Sequence, residues 1–227
     1  MGGASRNRTG KADPERGIKG VIFDCDGVLI DSKQANVRFY NLILAELGFA
    51  EMSPEDEEYV HSQTVTESIR YLVPEQDLER AIQAAKNISY KSVLPWIQLR
   101  QGLVSALERL RDRGVPCAIN TNRTGTMGLI LDTFGIRSYF SPVVTASTVR
   151  HPKPHPESLY YILSTWGMAP DQVIFIGDTE VDCRAAHAAG VPFWAFDSGD
   201  LAAVCHIDDH QQVCETIGQS PNTTRQL

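Results

Sequence analysis

The sequence predicts an α/β fold in which helices cover both faces of a parallel β-sheet, with a small all-helical segment inserted into it. Three observations support this prediction. Short apolar segments alternate with segments of helical apolar spacing. The helical segments between the strands end at glycines, as helices often do. One long interval contains helical patterns alone.

Five segments have the continuous apolar pattern of strands buried on both faces. The first runs from Ile18 to Asp24 (IKGVIFD) and ends in an acidic residue. The other four are VPCAINT from Val115, SPVVTA from Ser141, QVIFIGD from Gln172 and VPFWAFD from Val191. The helical patterns between them are LVSALERLRDRG, TMGLILDTFG, PESLYYILSTWG and CRAAHAAG. A parallel sheet of this kind binds its ligand beyond the carboxyl ends of its strands.

The interval between the first and second strands sets the domain organisation. We expect residues 33–95 to form a helical cap, and residues 17–32 and 96–217 to form the sheet-containing core. The helical segments of the cap are SKQANVRFYNLILAELG, SPEDEEYV, TESIRYLV and PEQDLERAIQAAKNISY, and the third carries a capping box, Thr64 with Glu67. We expect residues 1–16 to be a disordered basic leader and residues 218–227 to be a tail.

Composition excludes several classes of function. The 21 Lys and Arg against 28 Asp and Glu give a net charge of -7, which disfavours nucleic acid as a ligand. No apolar run is long enough to span a membrane. The five cysteines form no C-x-x-C pair, which favours a reduced, cytoplasmic setting without structural zinc. The sequence defines neither an oligomeric state nor a physiological substrate.

Two carboxylates follow the first strand. Asp24 and Asp26 lie two residues apart in DCDGVL, where a parallel sheet presents its ligand site. After the chain turns at Gly27, one carboxylate can bind a metal while the other serves a leaving group. Acidic pairs before glycine also occur in plain turns and in calcium loops.

Polar residues also follow the later strands. Thr121 and Asn122 end the second strand, Lys153 follows the third within KPHP, and Asp178 and Asp182 follow the fourth within GDTEVD. Each has a structural alternative: Thr121 and Asp178 as helix caps, and Lys153 as a solvated charge. Four such coincidences at one edge of a sheet favour a phosphate and metal site.

These motifs resemble the four ordered motifs of the haloacid dehalogenase superfamily, in its phosphoglycolate phosphatase-like branch. The resemblance extends from about Gly17 to about Thr216. It implies a Rossmann-like core with an inserted helical cap, and a Mg²⁺-dependent phosphatase that hydrolyses a small phosphorylated metabolite, such as phosphoglycolate or a sugar phosphate, through an aspartyl-phosphate.

The resemblance also implies a role for each residue. Asp24 is expected to be the nucleophile and Asp26 the general acid and base. Thr121 and Asn122 are expected to bind phosphate, and Lys153 to orient and neutralise it. Mg²⁺ is expected to bind Asp24, Asp178 and the main-chain carbonyl of Asp26, while Asp182 supports its water shell.

Several other classes of protein share parts of this motif pattern. A sugar phosphomutase similar to β-phosphoglucomutase shares all four motifs. Dehalogenases and phosphonatases do not need an acid at Asp26, which disfavours both. A phospho-receiver domain combines an acceptor Asp, a Thr and a Lys but has no cap, and a non-catalytic phosphate-binding module is a third alternative.

Substrate selectivity is expected to come from the cap, because the core residues contact only phosphate and metal. His61 and Gln63 lie in a polar break between two predicted cap helices, and the corresponding loop of related proteins points into the active site. The alternative is an exposed turn between helices. Lys33 and Arg38, at the start of the cap, are the next candidates.

Overall fold

A computed structural model describes residues 17–62 and 65–218 of the chain. These residues group into two compact units. The first contains residues 17–24, 101–124 and 136–218, and the second contains residues 25–62, 65–100 and 125–135. The predicted leader, most of the predicted tail, and Gln63 and Thr64 lie outside the described residues.

The described residues contain eight strands and nine α-helices, numbered here along the chain. The strands are β1 (Gly20–Phe23), β2 (Ile30–Asp31), β3 (Gln98–Leu99), β4 (Cys117–Asn120), β5 (Phe140–Val144), β6 (Val173–Gly177), β7 (Phe193–Phe196) and β8 (Cys205–Ile207). The helices are α1 (Lys33–Leu47), α2 (Pro54–Ser62), α3 (Val65–Leu72), α4 (Leu78–Asn87), α5 (Leu103–Asp112), α6 (Met127–Thr133), α7 (Glu157–Trp166), α8 (Glu180–Ala189) and α9 (His210–Gly218).

The first unit is built on a six-stranded, all-parallel sheet with strand order β5-β4-β1-β6-β7-β8. Every residue of β1, β4, β6 and β7 is buried, as the continuous apolar patterns predicted. The strand β1 lies between β4 and β6, with Val21 paired to Cys117 on one side and to Ile174 on the other. This sheet confirms the predicted Rossmann-like α/β fold.

Successive residues of β1 pack on opposite faces of the sheet. Ile22 lies in a buried cluster with Leu159 of α7 and Ala186 of α8. Phe23 contacts the rings of Phe140 and His210, at centroid distances of 6.1 Å each. The helices α7 and α8 both end at a glycine in the left-handed conformation, Gly167 at φ 62° and Gly190 at φ 70°, as the sequence predicted.

The second unit is mainly helical. Its core joins α1 to α3 and α4 through buried side chains that include Tyr40, Ile43, Ile69 and Ala81. The two-residue strands β2 and β3 pair antiparallel, with Ile30 opposite Leu99. The described residues between these two strands contain helices and turns but no strand. This compact unit is wider than the predicted cap, since it also contains residues 25–32, 96–100 and 125–135.

Three elements differ from the sequence-based expectation. The sequence indicated neither β8 nor α9. The strand β8 has only three residues and lies at the edge of the sheet, where Cys205 is partly exposed and His206 is exposed, so it lacks the apolar pattern of a buried strand. The helix α2 continues through His61 to Ser62, where a polar break was predicted. Polar residues alone do not end a helix, and no Gly or Pro is present at that point.

No α-helix among the described residues is long and apolar enough to cross a membrane.

Candidate active site

Three neighbouring parallel strands end at the same edge of the sheet. Asp24 directly follows β1, Thr121 follows β4 and Asp178 follows β6, and these strands are adjacent in the order β4-β1-β6. The main-chain N–H of Asp24 donates to the carbonyl of Ile176 at 2.8 Å, which extends the pairing of β1 to its end. The predicted carboxylates and hydroxyl of the first unit therefore share one edge.

Lys153 lies buried among acceptors at this edge. Its ammonium nitrogen donates to Asp24 Oδ1 at 2.7 Å, to Asp182 Oδ1 at 2.5 Å and to the main-chain oxygen of Asn120 at 3.0 Å. An ammonium group has three N–H donors, so these three acceptors use all of them. Lys153 Nζ also lies over the ring of Phe175, 5.5 Å from its centroid.

Two carboxylate partners stabilise the positive charge of Lys153. The side chains of Lys153, Asp24 and Asp182 are 3%, 9% and 1% exposed. Burial by itself lowers the pKa of Lys153, but the negative charges of Asp182 and Asp24 and their hydrogen bonds raise it above its ordinary value. The lysine is therefore a fixed cation beside the predicted nucleophile. A solvated surface charge, the alternative role considered for it, is wrong.

Asp178 completes a cluster of three carboxylates. One oxygen of each of Asp24, Asp178 and Asp182 lies within 4.8 Å of the others. The Oδ1 atom of Asp178 is buried and has no hydrogen-bond partner among the described residues. Burial raises the pKa of the Asp178 carboxyl to about 8, and the charges of Asp24 and Asp182 contribute to the increase, while Lys153 opposes it. A buried acceptor without a donor is the kind of atom that a hard cation satisfies.

This donor set fits Mg²⁺. Mg²⁺ prefers oxygen ligands and binds proteins through one or two carboxylates, with waters and substrate oxygens completing its shell. Asp24 and Asp178 can each offer an oxygen. Asp182 has both of its oxygens engaged, one by Lys153 and the other by Thr179.

The position of Asp182 is fixed by the start of α8. Thr179 is the N-cap of this helix, and its main-chain N–H donates to Asp182 Oδ2 at 3.2 Å. The Thr179 hydroxyl also donates to the same oxygen at 2.5 Å. Gly177 lies against this carboxylate, because a Cβ at residue 177 would lie 2.5 Å from Asp182 Cβ. The cap is thus Thr179, and the alternative that Asp178 caps the helix is wrong.

Thr121 and Asn122 follow β4 beside the lysine. The Thr121 hydroxyl oxygen accepts from the main-chain N–H of Arg123 at 3.1 Å, and its own N–H donates to Val144 at 3.0 Å. The Asn122 side-chain amide donates to the main-chain oxygen of Lys153 at 2.9 Å. Asn122 therefore ties the end of β4 to the lysine loop. The N-cap position of α6 is Thr126, so Thr121 is not the cap of that helix.

Asp26 belongs to the second unit, in a tight turn. The main-chain N–H of Gly27 donates to the carbonyl of Ile30 at 2.8 Å, and Gly27 has a φ of 76°. The Ser32 hydroxyl donates to Asp26 Oδ1 at 2.5 Å. Arg100 Nε, 73 residues further along the chain, donates to the carbonyl of Gly27 at 2.7 Å and so helps to stabilise the turn. Ser32 is a partner of Asp26 that sequence reasoning did not identify.

The two residues proposed for selectivity remain predictions. His61 lies in α2 and so belongs to a helix, whereas a loop was predicted for it. Gln63 lies outside the described residues. The residues that the sequence analysis missed in the first unit are Thr179 and Asn120. The pattern T-E-V-D carries a capping-box signal that could have identified Thr179, whereas Asn120 acts through its main chain and leaves no sequence signal.

Comparison with known proteins agrees with this geometry. The profile of the family described as haloacid dehalogenase-like hydrolases matches residues 21–196. A phosphoglycolate phosphatase of Yersinia pseudotuberculosis is 29% identical over 209 residues, which cover 85% of this chain and 88% of the relative. One of Rhodobacter capsulatus is 31% identical over 186 residues, which cover 79% of this chain and 84% of the relative.

Solved structures give the same result for the fold. A haloacid dehalogenase superfamily hydrolase of subfamily IA from Geobacter sulfurreducens superimposes with a TM-score of 0.81 at 37% identity. The superposition covers 88% of this chain and 97% of that protein.

Proposed function

The chain belongs to the haloacid dehalogenase-like hydrolases, and on that basis we propose that it is a Mg²⁺-dependent phosphatase that forms an aspartyl-phosphate on Asp24. One observation carries the proposal. A buried lysine joins Asp24 to Asp182, in a cluster with an Asp178 oxygen that no residue in the described part of the chain hydrogen-bonds. Such a site holds positive charge next to a nucleophilic carboxylate, which an anionic phosphate ester requires.

In the first chemical step, an oxygen of Asp24 attacks the phosphorus atom. The new bond joins Asp24 to phosphorus, and the bond between phosphorus and the ester oxygen breaks. We assign to Asp26 the proton that the leaving oxygen takes up. The Ser32 hydroxyl donates to Asp26 Oδ1 at 2.5 Å, which helps to hold this carboxyl group in position.

In the second step, water hydrolyses the aspartyl-phosphate. Asp26, now ionised, accepts a proton from the attacking water, and the bond between Asp24 and phosphorus breaks to release inorganic phosphate. Lys153 keeps its position throughout, because Asp182 and the main-chain oxygen of Asn120 also accept hydrogen bonds from it. The lysine thus neutralises charge without a change in its own protonation.

Asp24 and Asp178 are the residues that would hold Mg²⁺. When bound, the ion supplies positive charge that lowers the repulsion between the carboxylate and the phosphate ester. The raised pKa of Asp178 means that the carboxyl gives up its proton when a cation binds there.

The relatives guide the choice of substrate. Both curated relatives described above are named phosphoglycolate phosphatases. We therefore propose a small phosphorylated metabolite, with 2-phosphoglycolate and sugar phosphates as the first compounds to assay. Selectivity among them is assigned to the helical second unit, where His61 and Gln63 remain the predicted contributors.

The proposal is tested by phosphate release from 2-phosphoglycolate and from p-nitrophenyl phosphate. We expect activity with Mg²⁺, none in excess chelator, and none for Asp24→Asn, which keeps the shape of the side chain but loses the nucleophile. Full activity in chelator, or activity of the Asp24→Asn variant above background, would contradict the proposal.

The role of Asp26 has a separate test. Asp26→Ala is expected to slow hydrolysis of alkyl phosphates by ~100- to 10,000-fold, because alkoxide leaving groups need a proton. The loss on p-nitrophenyl phosphate should be much smaller, since nitrophenolate leaves without one. Equal losses on both substrates would show that Asp26 does not act as the general acid.

A further inference from the structure

A second group of metal-ligating side chains lies on the surface of the first unit. It consists of His151, His155 and Glu157, and no step of the proposed reaction uses any of them. One ligand atom of each lies within 4.8 Å of the others. We propose that these three residues form a binding site for a divalent transition-metal ion of the zinc class, distinct from the carboxylate cluster.

The carboxylate of this group is fixed by the main chain. Glu157 Oε1 accepts from the N–H of Arg150 at 2.9 Å, and Oε2 accepts from the N–H of His151 at 3.1 Å. These two hydrogen bonds connect the loop that precedes α7 to the carboxylate of Glu157. The bond from Arg150, with the histidine nearby, lowers the pKa of Glu157, so the group is ionised at neutral pH. One negatively charged ligand is therefore already in place.

The two histidines approach each other across a stiff loop. Their ring centroids are 4.8 Å apart at an interplanar angle of 42°. The intervening residues are Pro152, Lys153 and Pro154, and each proline fixes its own φ. His151 Nδ1 lies 2.9 Å from Glu157 Oε2, and the main-chain N–H of Glu157 donates to His155 Nδ1 at 3.2 Å, so the three residues contact one another.

The ligand chemistry selects the class of ion. Two imidazoles with one carboxylate are typical ligands of Zn²⁺, Co²⁺ and Ni²⁺, whereas Mg²⁺ prefers oxygen ligands alone. Bonds of about 2.0–2.2 Å require the ligand atoms to move closer than they are here. The His151 side chain is 64% exposed, and the surface contact with Glu157 that it would give up on moving is weak.

The site differs from the carboxylate cluster in its ligands but shares a loop with it. Lys153, which holds Asp24 and Asp182, lies between the two histidines. An ion bound to both histidines would join the two ends of the segment that positions the lysine.

Binding of Zn²⁺ and of Co²⁺ to the whole chain, measured by calorimetry and by Co²⁺ absorption in excess Mg²⁺ and reductant, tests the proposal. We expect one bound ion per chain. Affinity should fall at least about 10-fold in His155→Ala and in Glu157→Gln, since the loss of even an outer-shell partner typically costs that much. His206→Ala removes an exposed histidine outside the group and should bind as the unaltered chain does.

Asp178→Asn separates this site from the proposed catalytic one. The variant should keep its Zn²⁺ affinity while it loses phosphatase activity. Retention of full Zn²⁺ affinity by both His155→Ala and Glu157→Gln would overturn the proposal, and so would its loss in Asp178→Asn. Thermal unfolding of His155→Ala and of His206→Ala in chelator should match that of the unaltered chain, because both side chains are exposed.

Discussion

Replacing Lys153 by methionine tests the electrostatic account of the site most directly. The substitution keeps much of the side-chain volume but removes a cation that contacts two carboxylates, Asp24 and Asp182, in surroundings less than 10% exposed. Removing one partner of a buried ion pair costs about 3–5 kcal/mol, because the other charge stays buried without compensation. For a chain of 150–250 residues each kcal/mol lowers the melting temperature by about 2–4 °C, so we expect a decrease of roughly 6–20 °C.

The assay is thermal unfolding in chelator and in Mg²⁺. In chelator the full decrease is expected, because Asp24, Asp178 and Asp182 then have no cation. Added Mg²⁺ should recover part of it, and should stabilise Lys153→Met more than the unaltered chain. Lys19→Met is the matched control, since Lys19 is an exposed lysine in the same unit. Its expected change is within about 0.5 kcal/mol.

Two outcomes would refute this reasoning. The first is a decrease of less than about 2 °C for Lys153→Met in chelator, which would be below the cost expected for one buried ion pair. The second is an equal decrease for Lys153→Met and Lys19→Met. Either would mean that the carboxylates around Lys153 are neutral or solvated without it.

Two further predictions concern neighbouring residues. In chelator, the stability of the fold should fall as pH rises from about 4 to about 8. The pKa of Asp178 is about 8 in the folded chain, against an ordinary value of 3.8, so over this range the folded chain keeps a proton that the unfolded chain has released. Urea unfolding of Asp178→Asn should show a flatter dependence of stability on pH, and an unchanged slope would contradict this. Gly177→Ala places a Cβ 2.5 Å from Asp182 Cβ and should lower kcat about 100-fold, whereas Gly199→Ala, with open space around it, should not; equal kcat values for the two variants would contradict the close approach.

The sequence predicted the strands of the first unit well because they are buried on both faces. Continuous apolar runs such as that of β6 leave few alternatives, and the glycine after α7 and that after α8 mark helix ends clearly. The short edge strand β8 has no such pattern, since only Ile207 among its three residues is buried. Burial, and therefore the sequence signal, weakens toward the edge of a sheet.

The sequence predicted those parts of the site that consist of ionisable side chains. Asp24, Lys153, Asp178 and Asp182 all have ionisable side chains that the sequence shows, and their positions after successive strands place them at one edge of the sheet. The acceptor that Asn120 offers to Lys153 is a main-chain oxygen, which any residue would supply. The end of α2 was misplaced for a related reason: side-chain polarity at His61 does not decide whether the main chain continues its helical hydrogen bonds.

The central position of β1 also bears on how the chain is made. This strand emerges from the ribosome before any of its partners in the sheet, yet it pairs with β6, whose residues come about 150 residues later. At ~5–20 residues per second, synthesis of that interval takes roughly 8–30 s. Until β4 follows, about 96 residues after β1, the apolar segment Val21–Phe23 has no strand to pair with, and its other edge stays open until β6 is made. The Lys153–Asp24 contact joins residues 129 apart and cannot form before Lys153 is made. A ribosome-bound chain arrested before β4 should therefore bind chaperones through β1 and lack the assembled lysine site.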